Sequence, residues 1–158
     1  MVECGSKPVK VIFAASSGGH LEQLLALRPL MDRYDSLIVT ESTGYEVVLP
    51  ARVERVSQVN RHEALFPLKM LANAASALRI VLRERPDAVV CTGALATVPL
   101  CLIARAMGAR LVFIESFAKT SSATQTGKLL RGRADRFYVQ WPSMLDVYPD
   151  ARCVGGVY

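Results

Sequence analysis

Short runs rich in β-branched residues alternate along this chain with longer stretches of helical periodicity, and that alternation constrains the fold more than any other feature. It is the pattern of a parallel α/β sheet, whose strands are buried on both faces and read as continuous apolar runs. The expected strands are 9–15, 36–40, 52–56, 88–91, 110–114 and 136–139, with 152–154 a candidate seventh. Helices are expected at 20–33, where Pro29 kinks or breaks the later turns, at 63–85, and at 98–107, ended by Gly108 as a C-cap. No repeat, low-complexity segment or linker interrupts the 158 residues, so one domain is expected over 1–158.

Composition removes several alternatives. With 51% hydrophobic residues the chain can bury a core, and intrinsic disorder is excluded. Cys4, Cys91, Cys101 and Cys153 are far apart and form no Cys-x-x-Cys unit, and there are only two histidines. Neither a disulfide scaffold nor a metal site is expected; reduced thiols in a cytosolic protein are the simplest reading. Nineteen basic residues against 14 acidic ones give a net charge of +5, which favours an anionic partner such as phosphates or an acidic membrane surface. Nucleic acid is not expected, because aromatic content is 7% and no recognised module appears. The first residues carry no apolar signal-peptide core. The longest uncharged run, 88–104, contains Thr92, Gly93, Thr97 and Pro99 and reads as strand, turn and buried helix rather than a membrane span.

The 63–85 stretch is apolar on two sides. Leu65, Leu68, Leu71, Ala75, Leu78 and Leu82 form one stripe, and Phe66, Met70, Ala74, Ala77 and Val81 another. Lys69, Arg79, Arg83 and Arg85 frame it with positive charge. Either the sheet takes one side and a neighbouring helix the other, or one side meets a bilayer or lipid tail, with Phe66, Lys69 and Met70 facing the membrane.

Ligands of open parallel sheets sit at the carboxyl ends of the strands. After the first strand come Ser16, Ser17, Gly18, Gly19 and His20; after the third, Asn60, Arg61 and His62; after the fourth, Thr92 and Gly93; after the fifth, Glu115, leading to Lys119. Paired glycines let backbone N–H groups approach a diphosphate. His20 follows them at the positive end of a helix, which favours a neutral imidazole able to accept a proton from a hydroxyl. Glu115 is suited to hold a sugar hydroxyl or share the proton transfer; a salt bridge is its structural alternative. Gly-Gly could equally be a tight turn and His20 a packing residue. The spacing is neither a Walker loop nor G-x-G-x-x-G, so no nicotinamide or other cofactor is expected. Trp141, Cys91 and Cys101 read as packing residues.

SSGGHLEQLL at 16–25, CTGA at 91–94, IESFAKT at 114–120, TGKLL at 126–130 and VQWPSM at 139–144 occur together and in order. In this combination the chain resembles the PssD/EpsE-type polysaccharide biosynthesis proteins. These are relatives of the membrane-anchoring subunit of the dolichyl-diphosphate N-acetylglucosaminyltransferase and, more distantly, of the amino-terminal half of MurG. The resemblance implies a Rossmann-like parallel sheet with helices on both faces, the acceptor half of a GT-B glycosyltransferase. It implies an inverting hexosyl- or glucuronosyltransferase subunit for exopolysaccharide or capsule assembly, active only with a donor-binding partner chain. That partner would bring the UDP-sugar to a polyprenyl-diphosphate-linked saccharide at the cytoplasmic face of the inner membrane, where this chain would be peripheral. Carried over by position, His20 and Glu115 are the catalytic candidates. Ser16, Ser17, Gly18, Gly19, Thr92, Gly93 and Lys119 would bind acceptor and diphosphate; Lys119 stands where relatives often have arginine. The competing expectation is a non-catalytic scaffold that recruits a catalytic partner to the membrane.

Overall fold

In a strand buried on both faces, successive side chains feed two different cores. The computed structural model describes residues 7–42 and 48–157; Cys4 lies outside the described residues. Strand β1 (Lys10–Ala15) sends Ile12 and Ala14 into one core and Val11, Phe13 and Ala15 into the other. The same sorting runs through β2 (Asp35–Glu41), β4 (Ala88–Gly93) and β5 (Arg110–Ile114). With β3 (Arg52–Val56), β6 (Arg136–Val139) and β7 (Arg152–Cys153) they form a seven-stranded sheet in the order β3-β2-β1-β4-β5-β6-β7. Every neighbouring pair is parallel, as the alternation of the sequence requires.

Helices cover both faces. On one side α3 (Phe66–Glu84), α4 (Val98–Ala106) and α5 (Gln125–Leu130) bury Ala77, Ile80, Leu100, Cys101 and Leu130. On the other, α1 (Gly19–Leu25) and α2 (Arg28–Met31) bury Leu21, Leu24 and Met31. Cys91 and Cys101 are free thiols inside the first core, as their apolar surroundings in the sequence suggest.

The expected helix 20–33 is two helices. Ala26 N–H closes α1 onto Glu22 O at 3.1 Å, and Pro29 then occupies the first turn of α2, where a missing N–H loses no helical bond. Likewise α3 begins at Phe66 rather than 63, with Pro67 in its first turn, and ends where Arg85 turns left-handed (φ 49°) before Pro86. Gly108, at φ 98°, ends α4 as expected.

The outward face of α3 is the leucine stripe. Leu65, Leu68, Leu71, Leu78 and Leu82 are all exposed, Leu71 to 67%. Phe66 and Met70 are half-buried and less exposed than these leucines, whereas Ala77 and Val81 are buried. Lys69, also half-buried, pairs with Glu63. The periodicity reveals two stripes, but only the register of the helix on the sheet decides which is covered. No helix among the described residues is long and apolar enough to cross a membrane.

The amino edge of the sheet is closed by charge. Glu84, 7% exposed, receives Arg52 at 3.3 Å, Arg83 at 2.9 Å and Lys10 at 3.8 Å. Burial opposes its charge, but the hydrogen bonds from Arg83 and Arg52 outweigh burial and hold the carboxyl below its usual range. A lowered carboxyl contributes stability above its unfolded pKa of about 4.3 and loses it as pH falls through the lower folded value. Glu84→Gln should therefore cost about 1–2 kcal/mol in urea unfolding at pH 7, with the gap to wild type narrowing as Glu84 itself protonates in acid.

Candidate functional site

The strand order reverses between β1 and β4, which opens a crevice at their carboxyl ends. There the β1–β4 register slips: Ala14 pairs with Cys91 but Ala15 with Gly93, so Thr92 has no partner in the β1 ladder. Its groups turn to α1 instead. His20 Nδ1 lies 2.9 Å from Thr92 O, and Thr92 Oγ1 donates to His20 O at 2.8 Å. A carbonyl only accepts, so Nδ1 carries a proton, and Nε2 is the acceptor whenever the ring holds a single proton.

Gly93 makes this clamp possible. A Cβ there would sit 2.8 Å from His20 Cε1 and Nδ1, and the residue has φ 127°, so only glycine fits beneath the imidazole. Ala94 follows at φ 104°, a strained conformation for a residue with a side chain. Thr97 Oγ1 steadies it by donating to Ala94 O at 3.0 Å. Across the crevice Gly18 adopts φ 75°, and the space beyond the Cα atoms of Gly18 and Gly19 is open, so the glycine turn can be approached closely. Ser16 and Ser17 are half-buried beside it.

Ser17 leads to Glu41, which the sequence reading passed over. This carboxylate, 6% exposed at the end of β2, accepts from the Ser17 and Val59 backbone N–H groups and lies 3.5 Å from Ser17 Oγ. Burial pushes its carboxyl above the usual range against those hydrogen bonds. It ties the glycine turn to the segment after β3. The signal was present: a carboxylate directly after a strand, the same position that drew attention to Glu115.

Glu115 requires a correction. It is 1% exposed, and both oxygens are used internally. Oε1 accepts from Ser116 N–H at 2.8 Å; Oε2 accepts from Tyr148 Oη at 2.8 Å, Thr124 Oγ1 at 3.1 Å and Thr124 N–H at 3.3 Å. No sugar hydroxyl or proton can reach it without breaking this shell, so the carboxylate organises the edge rather than reacting. The salt-bridge alternative is not realised either, since its partners are neutral. Burial, then the adjacent carboxylate, push the Tyr148 hydroxyl well above its usual range and keep it a donor. Thr124 also caps α5, accepting Gly127 N–H at 2.9 Å.

Lys119 lies half-buried in the loop this shell fixes, its Nζ 3.4 Å from Ser122 Oγ. Trp141 packs on Phe117 with ring centroids 4.9 Å apart and donates Nε1–H to Phe117 O at 2.7 Å, so it is a packing residue. His62 is exposed and bonded within its own turn, by N–H to Asn60 Oδ1 and from Arg61 Nε. Among the described residues no three His, Cys, Asp or Glu side chains gather where a metal could bind.

A Cβ on Gly127 would fall 2.3 Å from Tyr148 Oη and 2.4 Å from Glu115 Oε2, whereas one on Gly19 meets nothing. Gly127→Ala should thus cost about 2–3 kcal/mol by displacing the buried carboxylate, while Gly19→Ala should stay within about 0.5 kcal/mol; denaturant melts of the two compare them directly.

Known proteins can be compared with this geometry. UDP-N-acetylglucosamine transferase subunit ALG14 of Yarrowia lipolytica is 24% identical over 92% of this chain and 80% of its own length. The subunit of the same name from Homo sapiens is 23% identical over 94% of the chain and 83% of its own. Among solved structures, Acinetobacter baumannii MurG superimposes with a TM-score of 0.76 at 22% identity, over 96% of this chain but 46% of MurG. UDP-N-acetylglucosamine 2-epimerase from Rickettsia bellii does so at 0.73 and 12% identity, again over 46% of that protein. The chain thus has the Rossmann-like sheet of one half of a GT-B enzyme and spans about half the length of those structures. The family described as "Oligosaccharide biosynthesis protein Alg14 like" matches residues 31–157, and the chain belongs to that family.

Proposed function

We propose that this chain is the acceptor-binding subunit of a two-chain glycosyltransferase that extends a lipid-linked oligosaccharide, with the nucleotide-sugar held by a donor-binding partner. The observation that carries the proposal is the His20–Thr92 clamp, which holds Nδ1–H on a carbonyl and leaves Nε2 unengaged by that bond beside an open glycine turn. In the reaction the acceptor hydroxyl gives its proton to Nε2 as its oxygen bonds to the anomeric carbon of the sugar. The bond from that carbon to the departing UDP breaks on the opposite side, inverting the centre, and no covalent enzyme intermediate is needed. The backbone of Gly18 and Gly19, with Ser16, Ser17 and the Thr92–Gly93 turn around it, would receive the lipid diphosphate, and Lys119 would add positive charge.

The names of the relatives support UDP-N-acetylglucosamine as the donor. The family description speaks of oligosaccharide biosynthesis, and none of the names above mentions exopolysaccharide or capsule. An N-acetylglucosaminyl group on a lipid-linked oligosaccharide is therefore the favoured product, ahead of the hexosyl or glucuronosyl transfer to an exopolysaccharide precursor that the sequence motifs suggested.

The leucine stripe of α3, flanked by the exposed Arg79 and Arg85, suits peripheral contact with an anionic bilayer on the cytoplasmic side. Replacing Leu68 and Leu71 together with glutamine should weaken binding to phosphatidylglycerol vesicles tenfold or more, read by co-sedimentation.

With the partner co-expressed, His20→Ala should abolish transfer of radiolabelled sugar from UDP-N-acetylglucosamine to a polyprenyl-diphosphate acceptor while the fold persists. Normal turnover in that variant would leave the scaffold reading in its place.

A further inference from the structure

The glycine turn and His20 ride on a helix too short to hold its own direction. Helix α1 has seven residues, its N-cap Gly18 offers no side-chain bond, and it stops at Leu25. Its core side is anchored by Leu21 and Leu24, and beside Leu24 one more side chain of the helix is buried. That side chain is Gln23, 1% exposed. A buried amide is unfavourable unless both of its ends are bonded, and here both are. Nε2 donates to Glu115 O at 3.3 Å, and Oε1 accepts Phe117 N–H at 3.0 Å, as a neighbouring strand would.

Positions 20 and 23 lie one helical turn apart on the same side of α1. The helix is thus tied at one turn to the end of β4 through His20 and Thr92, and at the next to the end of β5 through Gln23. With the second tie removed, α1 keeps the packing of Leu21 and Leu24 and the two His20–Thr92 bonds but loses its polar tie to the end of β5, which loosens its rotation about its own axis.

We infer that Gln23 is a positioning residue for His20: by bonding Glu115 O and Phe117 N–H it fixes the turn of α1 that keeps the imidazole on Gly93 with Nδ1 on Thr92. This rests on the reading of His20 as proton acceptor.

The test uses the full chain in complex with its donor-binding partner and reads the imidazole nitrogens of His20 by ¹⁵N correlation spectroscopy. This chain has only two histidines, so labelling it alone in a His62→Gln background leaves a single set of signals. In the parent, His20 should be one tautomer, protonated at Nδ1. Gln23→Leu keeps the volume and loses both bonds. It should give a mixture of tautomers and lower kcat tenfold or more, with KM for the lipid acceptor changed less than threefold. Gln23→Glu keeps the acceptor for Phe117 N–H and should fall between; it serves in the same measurement should the leucine variant not fold. A folded Gln23→Leu complex with an unchanged tautomer and full turnover would overturn the inference. If Gln23→Leu shifts the tautomer but His20→Ala transfers normally, the tether stands and the catalytic reading of His20 falls.

Discussion

The carboxyl edge of this sheet depends on one buried residue. Glu115 gathers four otherwise separate pieces of chain: besides the adjacent Ser116 N–H, its carboxylate collects Thr124 and Tyr148, and its carbonyl collects the amides of Gln23 and Gln140. Through these bonds the loop carrying Lys119, the start of α5, the turn after β6 and helix α1 are positioned relative to each other. A carboxylate out of water is tolerable only when its lone pairs are occupied, so the interaction is unforgiving: removing one donor exposes the cost of the charge. Gly127 reports the same tightness, since no Cβ fits where the carboxylate lies.

Polar side chains stitch the rest of that edge in a consistent manner. Buried amides stand in for backbone partners that irregular segments lack. Asn73 bonds both the N–H and the carbonyl of Ser57, Gln23 bonds Glu115 and Phe117, and Gln140 bonds Glu115 O and Val157 N–H. Glu41 does for the glycine turn what Glu115 does for the later loop. Bonded in this way, the polar side chains of the rim are occupied internally, and the glycine turn beside them stays open, which is why His20 stands out chemically.

The strands were legible because a doubly buried strand needs an unbroken apolar run, and the expected 110–114 and 136–139 match β5 and β6 to the residue. The glycine turn, His20 and the Thr92–Gly93 segment were legible because ligand sites in parallel sheets follow strand ends. Three things were not. The role of Glu115 depends on Tyr148, distant in sequence, whose hydroxyl arrives only through tertiary packing. The outward stripe of α3 depends on how the helix is rotated on the sheet, which two apolar stripes leave undetermined. Gln23 was hidden because a single amide in a leucine-rich helix looks like a solvent-facing residue until its partners on another strand are known.

On the proposed reading, the seven-stranded sheet with its fixed imidazole, open glycine turn and uncovered leucine row supplies one half of a catalytic cleft. The nucleotide-sugar is assigned on the same reading to a partner chain. The most direct measurement is affinity purification of the tagged chain from its native cells in mild detergent, with mass spectrometry of the proteins that accompany it. The account predicts a stoichiometric partner of single-domain size with a nucleotide-sugar-binding sequence, and transfer from UDP-N-acetylglucosamine by the purified pair. A chain that emerges alone, monodisperse and free of detergent, would contradict it.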